Sequence, residues 1–304
     1  VKRLGLEPLA GVFTFWEAEL GVLSGLKDRV IEEAQSIDVE AITSIATARK
    51  AGYWLVGPDK DLADRVAAAK SYEAIVAASE LFALRNTYRE RLRFDTAEAL
   101  ITSYRDELYR FDQYFRHFMA KAKAAEGQGW DLLKNLSKQV ERVYDQDFLS
   151  PLSLEWARLL DEGFLASWQL PKIGAQQHFY ANHVRKLLEK QKASRAYVII
   201  SDAFRYEAAK QLVEEMSGDY RTESKLGAML GVLPSYTALG MASLLPHKTL
   251  SYDAKGGVLA DGNSTSGTEA RSKILSNVNG MACQASDILP MKQEDARKFI
   301  GDSR

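Results

Sequence analysis

Cysteine, histidine and long apolar runs are all scarce in this chain of 304 residues. A single cysteine, Cys283, excludes an internal disulfide framework and fits a reducing compartment, so a cytoplasmic location is expected. No stretch reaches the roughly 18 uninterrupted apolar residues of a membrane-spanning helix, and no membrane association is expected. The opening residues, Val-Lys-Arg-Leu-Gly, lack the apolar core and cleavage site of a secretory signal. There is no initiating Met, and the chain reads as a piece cut at both ends. Histidine occurs four times. His178 and His183, five apart, do not share a helical face and read as ordinary residues. No fixed-period repeat is present, which excludes a solenoid. Charge of one sign is also missing: a formal net charge of -1 gives no basic footprint over the whole chain.

What is present is an ordinary globular composition, 46% hydrophobic and 27% charged, at a length that favours two domains. Residues 1–193 read as successive helices. Between Thr96 and Lys123, the residues Ala97, Ile101, Tyr104, Leu108, Phe111, Phe115 and Phe118 follow the three-and-four spacing of one buried helix face. The same spacing predicts helices over 39–55, 61–84, 130–144, 152–160 and 175–190. The aromatic stripe from Tyr104 to Phe118 reads as core, with base stacking as the alternative. Arg85, Arg89, Arg91 and Arg93, interleaved with Tyr88 and Phe94, form the most basic stretch. It reads as a solvated, salt-bridged face, with nucleic-acid backbone contact as the alternative.

From residue 194 onward strand and helix alternate. The run Ala196–Ile200 predicts a buried parallel strand, followed by a helix over 204–216. A second strand is predicted over 221–230 and a second helix over 236–245. Ser266 with Glu269 forms a capping box for a helix over 268–277. This alternation predicts the first half of a parallel α/β domain over 194–304, with too few strands to complete it.

Chemistry in open α/β sheets sits beyond the carboxyl ends of the strands. Asp202 ends the first strand, where a carboxylate is costly to desolvate unless it binds a cation or donors. It is therefore a candidate metal ligand. At the second junction Ser235 suits an N-cap, and Thr237 falls in the first helical turn. There backbone N–H groups favour anions and a nearby cation would activate the hydroxyl. Taken alone, Ser235 and Thr237 also fit plain capping roles.

The stretches Val198-Ile-Ile-Ser-Asp-Ala-Phe-Arg-Tyr-Glu207 and Leu233-Pro-Ser-Tyr-Thr-Ala-Leu-Gly-Met-Ala-Ser-Leu-Leu-Pro-His247 resemble the PglZ proteins of BREX phage-defence systems. The PglZ domain is similar to the alkaline phosphatase superfamily. The resemblance implies an α/β fold in which Asp202 is the first metal ligand, and Thr237 is both nucleophile and metal ligand. Ser201, Arg205, Glu207 and Ser235 would lie beside the ligands or the substrate. It also implies a two-metal site, with zinc as the expected ion, whose remaining Asp and His ligands lie beyond Arg304. Only one histidine, His247, comes after Thr237. The implied activity is metal-dependent hydrolysis of phosphate monoesters or diesters, nucleic acid among them. The implied partners are other BREX components and DNA. The alternative is a non-catalytic adaptor of the defence complex. A third class, with Asp202 as the nucleophile, wants a second carboxylate two residues on, where this chain has Phe204.

Overall fold

The computed structural model describes residues 6–57, 61–190, 195–218 and 222–300. It divides into two compact units, Val1–Ser167 with Arg205–Ser224, and Trp168–Phe204 with Lys225–Arg304. The division is thus not a single cut near residue 193. The segment immediately after the Asp202 turn belongs to the helical unit.

In the helical unit, α1 (Trp16–Glu32), α2 (Val39–Lys50), α3 (Leu62–Tyr88) and α4 (Tyr109–Glu126) carry most of the core. Asp38 and Asp61 cap α2 and α3, accepting from the N–H groups of Ala41 and Ala63 at 2.9 and 2.7 Å. Helix α3 buries Ala67, Ala68, Tyr72, Ala74, Ile75, Ala78 and Leu81, residues that cover about half of its circumference at about 100° per residue. So wide a buried face accommodates several neighbours at once, and α3 packs on α1, α2 and α4. Its small alanines let those neighbours approach closely.

The helix predicted from Thr96 onward forms, but a π-helical turn at Tyr104–Leu108 interrupts it, and a second π segment spans Val143–Leu149 after α5 (Lys134–Arg142). Each such turn inserts a residue and rotates the helix beyond it. The aromatic stripe is core: Phe111 stacks on Phe148 with ring centres 4.1 Å apart, and Phe115 on Tyr144 at 4.0 Å. Base stacking on this stripe is thereby excluded, since Phe111 and Phe118 are buried.

Two carboxylates are buried among these helices. Glu19 of α1 accepts from Arg49 of α2 and from the Tyr72 hydroxyl of α3, with Arg49 Nη2 2.6 Å and the Tyr72 oxygen 2.8 Å from the carboxylate. Burial first, and then the Glu19 carboxylate, push the Tyr72 phenol up, so it stays a donor. Asp112 of α4 accepts from both Tyr104 and Tyr144, each at 2.5 Å. Burial and this bond push Tyr144 up to about 12.

In the second unit, β1 (Leu250–Tyr252), β2 (Val258–Ala260) and β3 (Asn263–Ser264) form an antiparallel sheet in that order, with Leu250 opposite Ala260 and Leu259 opposite Ser264. Helix α7 (Thr237–Ser243) lays Leu239 and Ala242 on Val258, and α8 (Gly267–Ser276) lays Ile274 against Ala260 and Leu245. The parallel α/β half expected from the sequence does not form among the described residues. No strand is assigned at Ala196–Ile200, and Ile199 is 91% exposed. The strand predicted to end at Leu230 reduces to one parallel bridge, Ala175 to Leu230; its first residue, Arg221, lies outside the described residues. A parallel strand exists only through neighbouring strands that pair with its edges and elements that cover its faces, and among the described residues no strand or bridge is assigned at Ala196–Ile200. Ser266 does cap α8 by position, but its side chain makes no capping bond; the capping box is formed by Gln284 and Asp287 instead.

Glu73 of α3 provides a pH test of the helical unit. Burial pushes its carboxyl up, but Lys121, Lys70 and Lys50, at 2.9 to 3.0 Å, more than offset this and hold its pKa at about 2. A carboxyl lowered on folding adds stability above its unfolded pKa and loses it as pH falls through the folded one. Urea midpoints should therefore fall between about pH 5 and pH 2, and Glu73→Gln should flatten that slope. An unaltered slope in the variant would show that the lysines leave this carboxylate unstabilised.

Candidate functional site

Asp202 and Thr237 are 35 residues apart in the chain and meet in the second unit, with Thr237 Oγ1 3.5 Å from Asp202 Oδ2. Both are exposed. The backbone turns at Ala203, whose φ of 57° is left-handed and strained for a residue with a Cβ. The turn is held by Asp202 itself, whose Oδ1 accepts from the Ala203 N–H at 3.0 Å. That bond fixes the carboxylate and leaves Oδ2 toward the threonine. The two oxygens are close, although parallel strands do not present them.

Thr237 is the first residue of α7. The N-cap position falls to Tyr236, one residue later than the expected Ser235, with extended φ and ψ of -140° and 156° and no side-chain capping bond. The Tyr236 hydroxyl bonds to that of Tyr252, which pushes its pKa up. Two residues that sequence reasoning passed over hold this junction. Trp168 Nε1 donates to the Gly231 carbonyl at 2.8 Å. The Gln176 amide accepts from Val232 N–H at 3.3 Å and donates to the Gly240 carbonyl at 3.1 Å. Gln176 thus grips the approach to α7 and its body at once. In the sequence it is one glutamine within a run read as helix, and nothing distinguishes it from a surface residue.

Arg205 and Glu207 lie in the helical unit, at the start of α6 (Tyr206–Met216). Glu207 is fully buried, and Arg116 of α4 grasps it with Nε 2.9 Å from both carboxylate oxygens and Nη2 2.7 Å from Oε2. Gln211 accepts from the same guanidinium at 2.6 Å. Tyr206 packs against Tyr104 and Tyr109 with ring centres 6.0 Å away, and Arg205 lies 3.7 Å from Asp112. Ser201 and Ser235 are exposed.

Two cation ligands bonded at about 2.1 Å and set at a tetrahedral angle are separated by about 3.4 Å. The 3.5 Å between Asp202 Oδ2 and Thr237 Oγ1 is long for a hydroxyl hydrogen bond but matches that spacing. The pair therefore fits two positions around one divalent cation. It does not complete a site: among the described residues no group of three or more His, Cys, Asp or Glu side chains converges. The Nδ1 of His247 is engaged with the Leu245 carbonyl at 2.7 Å.

Residues 179–304 match the family description "BREX system PglZ alkaline phosphatase-like domain". Two curated relatives extend the likeness into the helical region. The "Alkaline phosphatase-like protein BrxZ" of Escherichia coli O9:H4 (strain HS) is 35% identical over 287 residues, 93% of this chain and 32% of that protein. The "Alkaline phosphatase-like protein PglZ" of Bacillus cereus (strain H3081.97) is 31% identical over 235 residues, 77% of this chain and 27% of that protein. The chain belongs to the PglZ family, and it spans about a third of the length of the relatives it matches. No solved structure matches it. No helix among the described residues is long and apolar enough to cross a membrane.

The grip on Glu207 is testable. Glu207→Ala removes three charge-assisted bonds but leaves a half-exposed Arg116 that water can reach, so the loss should be about 2–3 kcal/mol. Chemical denaturation of the variant measures it. A loss below about 0.5 kcal/mol, the range of an ordinary surface change, would show that the pair does not anchor α6.

Proposed function

We propose that this chain supplies the nucleophile and the first metal ligand of a phosphoric-ester hydrolase in BREX anti-phage defence. The observation that carries this reading is the approach of Thr237 to Asp202 from two stretches that both lie inside the family match. Thr237 is the nucleophile: its Oγ1 attacks phosphorus, the bond to the ester oxygen breaks, and water then displaces the threonine from the phosphoryl group. Asp202 and Thr237 would both bind a divalent cation, zinc being the expected ion, and further ligands must join them. Such a cation lowers the pKa of the hydroxyl and offsets charge on the oxygens around phosphorus. Trp168 and Gln176 position the helix that carries the nucleophile. The substrate class is phosphate esters, phosphodiesters such as DNA included. Other components of the defence system are the proposed partners, and the cytoplasm the proposed location.

A second reading, an adaptor without catalysis, draws on the exposed apolar run at Val198, Ile199 and Ile200 and on the lack of a third converging ligand among the described residues.

Substitution separates the two. In the natural protein, with a generic phosphodiester and added divalent metal, Thr237→Ala should lower turnover by about 10³-fold or more, whereas Thr237→Ser should keep a measurable part. Asp202→Ala should lose turnover too, with partial recovery in excess metal, since a weakened site is refilled by mass action. Undiminished turnover in Thr237→Ala would exclude covalent catalysis by this residue. No turnover in the unsubstituted protein with any divalent metal would favour the adaptor.

A further inference from the structure

The helical unit contains a cavity of about 520 Å³ lined from three separate parts of the chain: the end of α1 with the turn after it, the end of α3, and the stretch from α5 to Pro151. Three arginines face it, Arg85, Arg89 and Arg142, against a single carboxylate, Asp147. Two of the three belong to the basic stretch singled out in the sequence: Arg85 and Arg89 turn into this cavity, while Arg91 and Arg93 do not line it. The expected solvated face is in part the wall of a pocket.

Arg85 is nine-tenths buried and is held in place by the Ala34 carbonyl at 2.8 Å and Asp147 at 3.3 Å. Its Nε is buried and has no hydrogen-bond partner. Arg89 is steadied by Gln35 at 2.6 Å and Arg142 by Gln146 at 3.3 Å, so their remaining N–H groups are left to a ligand. Guanidinium forks match phosphate oxygens in geometry and charge. One carboxylate cannot neutralise three of them, so an anion is favoured. The amides of Gln35, Gln139 and Gln146 add donors and acceptors suited to a base or sugar edge, and Phe82 and Val143 add apolar wall. The volume falls within the range of small-molecule sites. A nucleic-acid strand would instead want cations tracking a groove.

We propose that this cavity binds a phosphorylated small molecule of mononucleotide size, with Arg85, Arg89 and Arg142 on the phosphate. The proposal concerns the helical unit alone and stands whether or not Thr237 is a nucleophile. The probe is adenosine monophosphate, titrated calorimetrically into the full chain at low salt, with inorganic phosphate and a twelve-nucleotide single strand as parallel arms. One-to-one binding of the mononucleotide is expected, tighter than that of inorganic phosphate. It should weaken about ten-fold or more in the Arg89→Ala, Arg142→Ala double variant, since each charged bond counts for a factor of that order. Both side chains are exposed, so the fold should survive. If it does not, Gln146→Glu, which sets a negative charge in the same wall, should give the same loss. No saturable binding of the mononucleotide overturns the proposal. So does equal affinity in a folded variant, or far tighter binding of the twelve-nucleotide strand.

Discussion

A carboxylate with no exposure to water must be answered by a cation, and Glu207 is answered by Arg116 through three short bonds. That requirement decides where α6 lies. Once Glu207 is seated on α4, Tyr206 packs against Tyr104 and Tyr109, and Arg205 comes near Asp112. Asp112 itself is held by two tyrosines that the π-helical turns rotate toward it. The motif that begins at Ser201 is therefore shared out. Its first half, with Asp202, belongs to the unit that carries Thr237; its second half is a structural fastening in the helical unit.

The parts of the fold legible in the sequence are those whose stability is local. Helices α2 to α5 announce themselves by period, and the stripe through Phe111 and Phe118 is core as its spacing requires. The approach of Asp202 to Thr237 was implied by the family resemblance, which makes both of them ligands of one site, although the parallel strands expected to present them do not form. Three features were not legible. Strand formation at Ala196–Ile200 depends on pairing partners, and an apolar run cannot say whether they are at hand. The π-helical turns leave no trace in a 3.6-residue pattern, since one inserted residue is absorbed within its tolerance. The clustering of Arg85 and Arg89 with Arg142 needs two distant segments to converge, and distance along the chain conceals it.

Asp202 and Thr237 are held in place in different ways. The carboxylate is fixed by its own backbone through the Ala203 N–H, at the cost of a left-handed residue. The hydroxyl is fixed by the helix it begins, and that helix is fixed by Gln176 and Trp168. A group that is to bind a cation gains from being oriented beforehand, because less order has to be imposed on binding. The strain at Ala203 is consistent with such a use, since left-handed non-glycine residues persist where surrounding contacts over-determine them.

The anchoring of α7 sets a limit on how this protein can be divided. The family match begins at residue 179, yet the glutamine that clasps α7 is Gln176 and the tryptophan that secures Gly231 is Trp168. A recombinant piece begun at the edge of the match would keep Asp202 and Thr237 and lose both fastenings of α7. The carbonyls of Gly231 and Gly240 would be left to water, and the junction before Thr237 would be free to wander. The smallest self-sufficient portion of the second unit therefore starts upstream of Trp168, on physical grounds that sequence similarity does not mark.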